Sequence, residues 1–87
     1  SEAINGVFSS PHLEEKFYEA KVRWAWKEVM GEVVARRTTY VEIYQGRLTV
    51  KLSSAALKSE LTMSKELIKN RLNEFVGKDV VKNIILI

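Results

Sequence analysis

The clearest pattern along the chain is an alternation of apolar and polar residues over residues 39–52. Val41 and Ile43 alternate with more polar neighbours up to Gln45 and Gly46, and a second alternating run follows. A period of two is typical of a strand with one buried face, and a glycine between two such runs supplies the positive φ of a tight turn. The segment therefore predicts a β-hairpin with one apolar face and one polar face.

Residues 11–37 have helical periodicity. Ser10 is a good N-cap and Pro11 suits the first helical position. Apolar side chains fall on two roughly opposite faces, Leu13, Phe17, Ala20 and Trp24 on one and Val22, Trp26, Val29 and Val33 on the other. We expect one long helix that is bent or interrupted near residues 20–22, its first part packing on the N-terminal segment. Gly31 is expected to allow close approach of another element.

A second long helix is predicted over residues 55–76, with Ser53 and Ser54 as N-cap candidates and Gly77 as the residue that closes it. Its expected core stripe recurs at steps of three and four and comprises Leu57, Leu61, Ser64, Ile68, Leu72 and Phe75. A turn and a third strand over residues 83–87 follow. Ile85 and Ile87 imply either a covered central strand or an apolar edge for self-association or a partner.

Residues 2–8 predict a short additional helix, and the abrupt start at Ser1 fits the end of a longer one. We expect residues 1–87 to form one α+β domain in which two long helices pack on one face of a three-stranded mixed sheet. The predicted core is listed here: Trp26, Val29, Val41, Ile43, Leu48, Val50, Leu57, Leu61, Ile68, Leu72, Ile84 and Leu86.

Composition adds limits to this picture. The 87 residues suffice for one domain, with 46% hydrophobic and 29% charged residues. No apolar run approaches the roughly 20 residues of a membrane span, and the sequence contains no cysteine, so we expect a cytoplasmic protein. The net charge of +3 permits contact with phosphates without requiring it.

Side chains for catalysis, metal binding or cofactor binding are scarce. His12 is the only histidine and has no cysteine to share a metal with, so a surface role is expected for it. Glu14 and Glu15 are adjacent and point in different directions on a helix. The four glycines are scattered and form no phosphate-binding loop. We therefore expect no enzyme, metal or cofactor.

The polar face of the hairpin is the first candidate binding surface. Tyr40, Tyr44, Arg47 and Lys51 share it with Thr49, and aromatic rings between cations suit base stacking and phosphate neutralisation. The alternative is a solvated face or one covered by a helix.

Two further sets of cations extend this hypothesis. Lys58, Lys65 and Lys69 recur at offsets of seven and eleven residues, which places them along one flank of the second helix. The alternative is an ordinary charged face that glutamates partly offset. Arg36 and Arg37 end the first helix, where the helix dipole already accounts for them, but they also extend a basic surface towards the hairpin. Trp24 is either a core residue or, if exposed, a stacking or interface residue.

A set of short motifs occurs in order along the chain, over residues 25–31, 34–35, 38, 46–61, 65–68, 71–74, 84 and 86, and it includes Trp26, Gly31 and the Ser-Ala-rich start of the second helix. In these motifs the sequence resembles the DciA-like family of bacterial proteins, in particular its short Bacteroidetes-type members. The resemblance implies a fold like a K-homology domain, α-β-β-α-β, and a role in assisting a DnaB-type replicative helicase at single-stranded DNA. The chain lacks the GxxG loop of true K-homology domains.

These expectations combine into one hypothesis and one alternative. The hypothesis is a non-catalytic accessory protein of bacterial DNA replication that binds single-stranded nucleic acid weakly and has a DnaB-type helicase as its partner. The alternative is a protein–protein interaction adaptor that does not bind nucleic acid itself. The hypothesis requires the cations of separate segments to form one continuous positive surface in the folded domain.

Overall fold

A computed structural model describes residues 11–87 of the chain, with side chains from Leu13 onwards. The elements are α1 Pro11–Met30, α2 Glu32–Arg36, β1 Thr38–Tyr44, β2 Arg47–Leu52, α3 Ala55–Thr62, α4 Lys65–Val76 and β3 Asn83–Leu86. This order confirms the α+β class. The helix expected at residues 2–8, the packing of α1 on it and the side chain of His12 lie outside the described residues. None of the described helices is long and apolar enough to span a bilayer.

The three strands form one mixed sheet in the order β1-β2-β3, with β1 antiparallel and β3 parallel to the central β2. The predicted hairpin is confirmed. Gln45 and Gly46 at its turn have φ angles of 48° and 85°, and two positive φ angles are the requirement of the type I′ turn that matches strand twist. β3 pairs only with β2 among residues 11–87, so it is an edge strand and not a covered central one.

The helices cover one face of the sheet, and the core lies between the two layers. Every predicted core residue is buried or half-buried, with Val29, Val41 and Leu57 in the half-buried group. The predicted core omitted five further apolar side chains that are buried, namely Val22, Ala25, Leu52, Val76 and Val81, and the polar side chain of Glu19 is buried as well. Of the two apolar faces of α1, the one with Val22 and Trp26 is turned inward, and Trp24 on the other face is exposed.

The break in the first helical segment was predicted at the wrong place. α1 passes through residues 20–22 without interruption and ends before Gly31, after which α2 begins. Gly31 has a φ of 88°, which only glycine adopts without strain, and this angle ends the helix. The expected close approach at Gly31 is also wrong, because a Cβ atom added there would meet nothing within 4 Å.

The second long helix is in fact two helices. Ser64 has φ −120° and ψ 20°, outside the helical region, and separates α3 from α4. Ser54 caps α3 as expected, its Oγ accepting the N–H of Leu57 at 3.2 Å. The stripe prediction was wrong at its end, since Phe75 is 44% exposed and Val76 is buried instead.

The side chains of Asn73 and Thr38 each hold a connection between elements in place through hydrogen bonds. The Asn73 carboxamide accepts the N–H groups of Val80 and Val81 at 3.1 and 2.7 Å and donates to the Val81 carbonyl at 2.9 Å, which fixes the approach to β3. The buried indole of Trp26 donates through Nε1 to Thr38 Oγ1 at 3.0 Å. Thr38 Oγ1 in turn donates to the Val34 carbonyl at 2.8 Å, which joins α1, α2 and β1.

Candidate nucleic-acid interface

The face of the sheet that turns away from the helices is called the open face here; its side chains are Tyr40, Glu42, Tyr44, Arg47, Thr49, Lys51, Asn83 and Ile85. The strand register places Tyr40 beside Lys51 and Tyr44 beside Arg47. The two tyrosines are 47% and 56% exposed. Arg47 and Lys51 are exposed and form no ion pair with any residue between 11 and 87. The structure therefore brings together the four hairpin residues that the sequence proposed.

An acidic residue divides these two aromatic–cation pairs. Glu42 lies between the tyrosines on β1 and opposite Thr49 on β2. The Tyr40 hydroxyl donates to Glu42 Oε1, and this hydrogen bond, with a smaller contribution from the carboxylate charge, raises the pKa of Tyr40 above its ordinary value. Tyr40 is therefore a neutral hydrogen-bond donor at physiological pH. The carboxylate opposes phosphate at the centre of the open face.

The third strand adds apolar surface to the open face. Ile85 is half-buried beside Thr49, and Asn83 lies beside Arg47. Bases of a single strand can rest on such a surface through their apolar faces, while cations contact the backbone. The open face thus offers rings, an aliphatic side chain and two cations within three strands.

The two arginines at the end of α2 differ in their surroundings. Arg36 forms an exposed ion pair with Glu32, with 3.6 Å between Nη2 and Oε1. Arg37 has no acidic partner in the described part of the chain, and its carbonyl accepts the Ser53 N–H at 2.7 Å, next to the end of β2. A shallow cleft of about 250 Å³ is lined by Val33, Arg36 and Arg37. The backbone of Arg37 therefore lies next to the Lys51 end of the sheet, and Arg37 also lines the cleft beside α2.

The three helix lysines do not form the predicted row. Lys58 lies on α3, and the other two lysines lie on α4. Because these helices are separate, the offsets of seven and eleven residues do not place the three side chains along one helix face. Lys69 forms an ion pair with Glu66 at 2.8 Å, and this hydrogen bond raises the pKa of Lys69. All three belong to the helix layer, on the other side of the sheet from Tyr40 and Tyr44. The continuous positive surface that the sequence hypothesis required across sheet and helices is therefore not formed, and the predicted cations that lie beside exposed tyrosines are reduced to Arg47 and Lys51 on the hairpin.

A second cleft, between α1 and the segment before β3, is acidic. It measures about 580 Å³ and its lining includes Glu14, Glu15, Glu19 and Asp79 against the ammonium groups of Lys78 and Lys82. Lys82 pairs with Asp79 at 2.8 Å, and this hydrogen bond lowers the pKa of Asp79. Within residues 11–87 no group of three or more His, Cys, Asp or Glu residues is arranged to hold a metal ion. The cleft does not complement a phosphate.

Sequence reasoning missed the surroundings of Trp24. Its ring lies 5.3 Å from that of Phe75, and the exposed cations nearby along α1 and α4 are Arg23, Lys27 and Arg71. The signal available in the sequence was the pair of opposed apolar faces on α1, one of which had to remain outside a two-layer core.

Comparison with known protein families identifies the same family as the sequence motifs. A family model described as "Dna[CI] antecedent, DciA" matches residues 1–86, essentially the whole chain. No curated protein matches the sequence significantly. Trp26 is in the core and Gly31 separates α1 from α2, so these two motif residues serve the fold. The chain belongs to the DciA family, whose members serve bacterial DNA replication as loaders of the DnaB-type helicase.

Proposed function

We propose that this protein is a non-catalytic cytoplasmic accessory factor of DNA replication that binds single-stranded DNA weakly through the open face while it assists a DnaB-type helicase. The element order, with a hairpin before and a parallel strand after the second helical segment, supports a K-homology-like fold. Because the chain has no GxxG loop, DNA contact is assigned to the sheet and not to a loop between helices.

The observation that carries this proposal is the register of the hairpin, which sets each exposed tyrosine beside an unpaired cation. Each base stacked on an aromatic ring contributes about 1–3 kcal/mol, and stacking tolerates any base. Two rings support two bases. The site is therefore expected to show little sequence preference.

Electrostatics set the expected strength of binding. Arg37, Arg47 and Lys51 are the cations near the open face that lack an acidic partner among residues 11–87. Three neutralised phosphates give a slope of about −2 for log affinity against log salt on a single strand. Affinity should thus fall about 100-fold for a tenfold rise in salt. Glu42 weakens binding further, in keeping with a factor that must release the strand to a helicase.

A fluorescence anisotropy titration with a labelled oligothymidine at low and moderate salt tests the proposal. The double variant Arg47→Ala with Lys51→Ala should bind at least tenfold more weakly than the wild type. The matched control carries Lys58→Ala with Lys65→Ala in the helix layer and should remain within twofold. No binding at low salt, or a larger loss in the control, would overturn the assignment and favour the adaptor alternative.

The unpaired edge of β3 supports a second, separate proposal for this chain, namely self-association. Ile85 is half-buried and Ile87 is 49% exposed beside that edge. Exposed edges with apolar side chains pair readily with another strand. Sedimentation velocity over a range of concentrations tests this, and a single monomeric species at all concentrations would exclude it.

A further inference from the structure

An apolar surface lies on the helix layer, outside the core. The rings of Trp24 on α1 and Phe75 on α4 are in contact, with centroids 5.3 Å apart and planes inclined by 54°. Trp24 is 56% exposed, Phe75 44%, and Leu67, two turns earlier on α4, 54%. We call Trp24, Leu67 and Phe75 the α1–α4 surface. Contiguous exposed side chains of this size mark interaction sites on soluble domains.

These side chains are not needed to fill the core. Val22 and Trp26 on α1, and Ile68, Leu72 and Val76 on α4, already pack against the sheet and are almost fully buried. The side chains of the α1–α4 surface lie outside these buried stripes. The apolar area that they still expose is therefore available to a partner.

The two helices lie side by side at this surface. Contacts between them run in opposite chain order: Glu14 pairs with Lys78 at 2.6 Å, and Trp24 further along α1 contacts Phe75 earlier on α4. The helices therefore pass each other in opposite directions. A pair of helices packed in this way presents a groove into which the apolar stripe of a third helix fits.

The charged side chains near the groove determine whether a helix with acidic or with basic borders would bind there. Arg23 directly precedes Trp24 on α1, Lys27 follows it by about one turn, and Arg71 lies about one turn from both Leu67 and Phe75 on α4; all three are exposed, and we call them the basic rim. No member of the basic rim has an ion pair within residues 11–87. Glu28 and Glu74 are the nearby carboxylates without such a pair, which leaves a positive excess along the groove.

We propose that the α1–α4 surface binds an amphipathic helix of a protein partner whose apolar stripe is bordered by aspartate or glutamate. The apolar residues of that helix would cover Trp24 and Phe75, and its carboxylates would meet the basic rim. DNA is the less suitable occupant, because the two rings contact each other and two carboxylates lie nearby. The inference does not depend on DNA binding, since the surface lies in the helix layer and not on the open face.

Nuclear magnetic resonance of the isotope-labelled full chain tests this with two synthetic peptides of 18 residues. Both carry the same leucine stripe at helical spacing; one has glutamate and the other lysine at the bordering positions. The glutamate peptide should shift the amide signals of residues 23–28 and 67–75 saturably, at least tenfold more tightly than the lysine peptide. Trp24→Ala should weaken binding at least tenfold, whereas Val33→Ala, at an exposed apolar position of α2, should remain within twofold.

A charge-reversal variant tests the proposal separately, in case Trp24→Ala unfolds the domain. Arg23→Glu with Arg71→Glu alters only exposed side chains and should reverse the preference towards the lysine peptide. Equal binding of both peptides, or shifts outside the two segments, would overturn the proposal. So would an oligonucleotide that shifts the same amides, or concentration-dependent shifts without peptide, which would assign the surface to a second copy of the chain.

Discussion

Thr38 offers a quantitative test of how the first half of the fold is held together. Its hydroxyl accepts the indole N–H of Trp26 at 3.0 Å and donates to the Val34 carbonyl at 2.8 Å. Trp26 is only 2% exposed, so its indole N–H has little access to water as an alternative acceptor. Thr38→Val keeps the side-chain shape and the branched Cβ that suits a strand, but removes both hydrogen bonds.

The expected loss of stability in Thr38→Val follows from the hydrogen-bonding groups that lose their partner. A buried N–H without an acceptor costs about 1–3 kcal/mol, and the lost bond to the Val34 carbonyl about 0.5–1.5 kcal/mol. That carbonyl still accepts the N–H of Arg37 at 3.1 Å, so its penalty is at the low end. The methyl group that replaces the hydroxyl adds at most about 0.8 kcal/mol of stability through apolar burial. The net loss is about 2 kcal/mol, a large share of the roughly 4–13 kcal/mol expected for a domain of this size.

Urea unfolding followed by circular dichroism measures this loss. The midpoint should fall without a change in slope, and the melting temperature should drop by roughly 8–16 °C. The matched control is Thr39→Val, which removes an exposed 3.3 Å bond to the Lys51 carbonyl and should cost less than about 0.5 kcal/mol. If both variants lose the same stability, or if Thr38→Val costs as much in a Trp26→Phe background, the indole–hydroxyl bond does not stabilise the fold and the reasoning is refuted.

The remaining predictions concern the open face and two connections. Glu42→Gln removes the central negative charge, worth up to about 1 kcal/mol against a phosphate 4 Å away in water, and should tighten oligothymidine binding about two- to fivefold in anisotropy titrations. The same change should lower the pKa of Tyr40 towards its ordinary value in an ultraviolet titration, because the hydrogen bond to the carboxylate is what raises it. Asn73→Ala removes four hydrogen bonds to the segment before β3, three of them to backbone groups and an exposed one to the Asp79 carboxylate, and should destabilise the domain by about 2–4 kcal/mol in urea. Gly46→Ala should cost about 1–3 kcal/mol in thermal unfolding, because φ is 85° and the new Cβ would lie 2.7 Å from Lys82 Cγ.

The hairpin was predictable because its information is local. Alternation fixes which side chains share a face, and Gln45 with Gly46 fixes the turn, so the pairing of Tyr44 with Arg47 follows from the sequence. The same logic predicted the apolar inward positions of both strands. Glu42 was visible in the alternation as well, but its effect on the open face depends on its hydrogen bond to the Tyr40 hydroxyl, which only coordinates show.

The helix boundaries were less predictable because single residues decide them. Gly31 and Ser64 adopt backbone angles outside the helical region, whereas propensity assigns each only a modest cost within a helix. The break at Ser64 separates Lys58 from Lys65 and Lys69, which removes their predicted row. Likewise, α1 has two apolar faces, and periodicity alone does not decide which one the sheet covers.

The placement of the two candidate surfaces bears on how a helicase accessory factor works. The open face belongs to the sheet layer and the α1–α4 surface to the helix layer, with the core between them. Under the two proposals, a strand of DNA and a partner helix would lie on opposite sides of the core and would not compete for the same side chains. The hydrogen bond between Trp26 and Thr38 joins α1 to β1 and so connects the two layers. A small domain with this arrangement would position a strand relative to a partner helix through geometry alone.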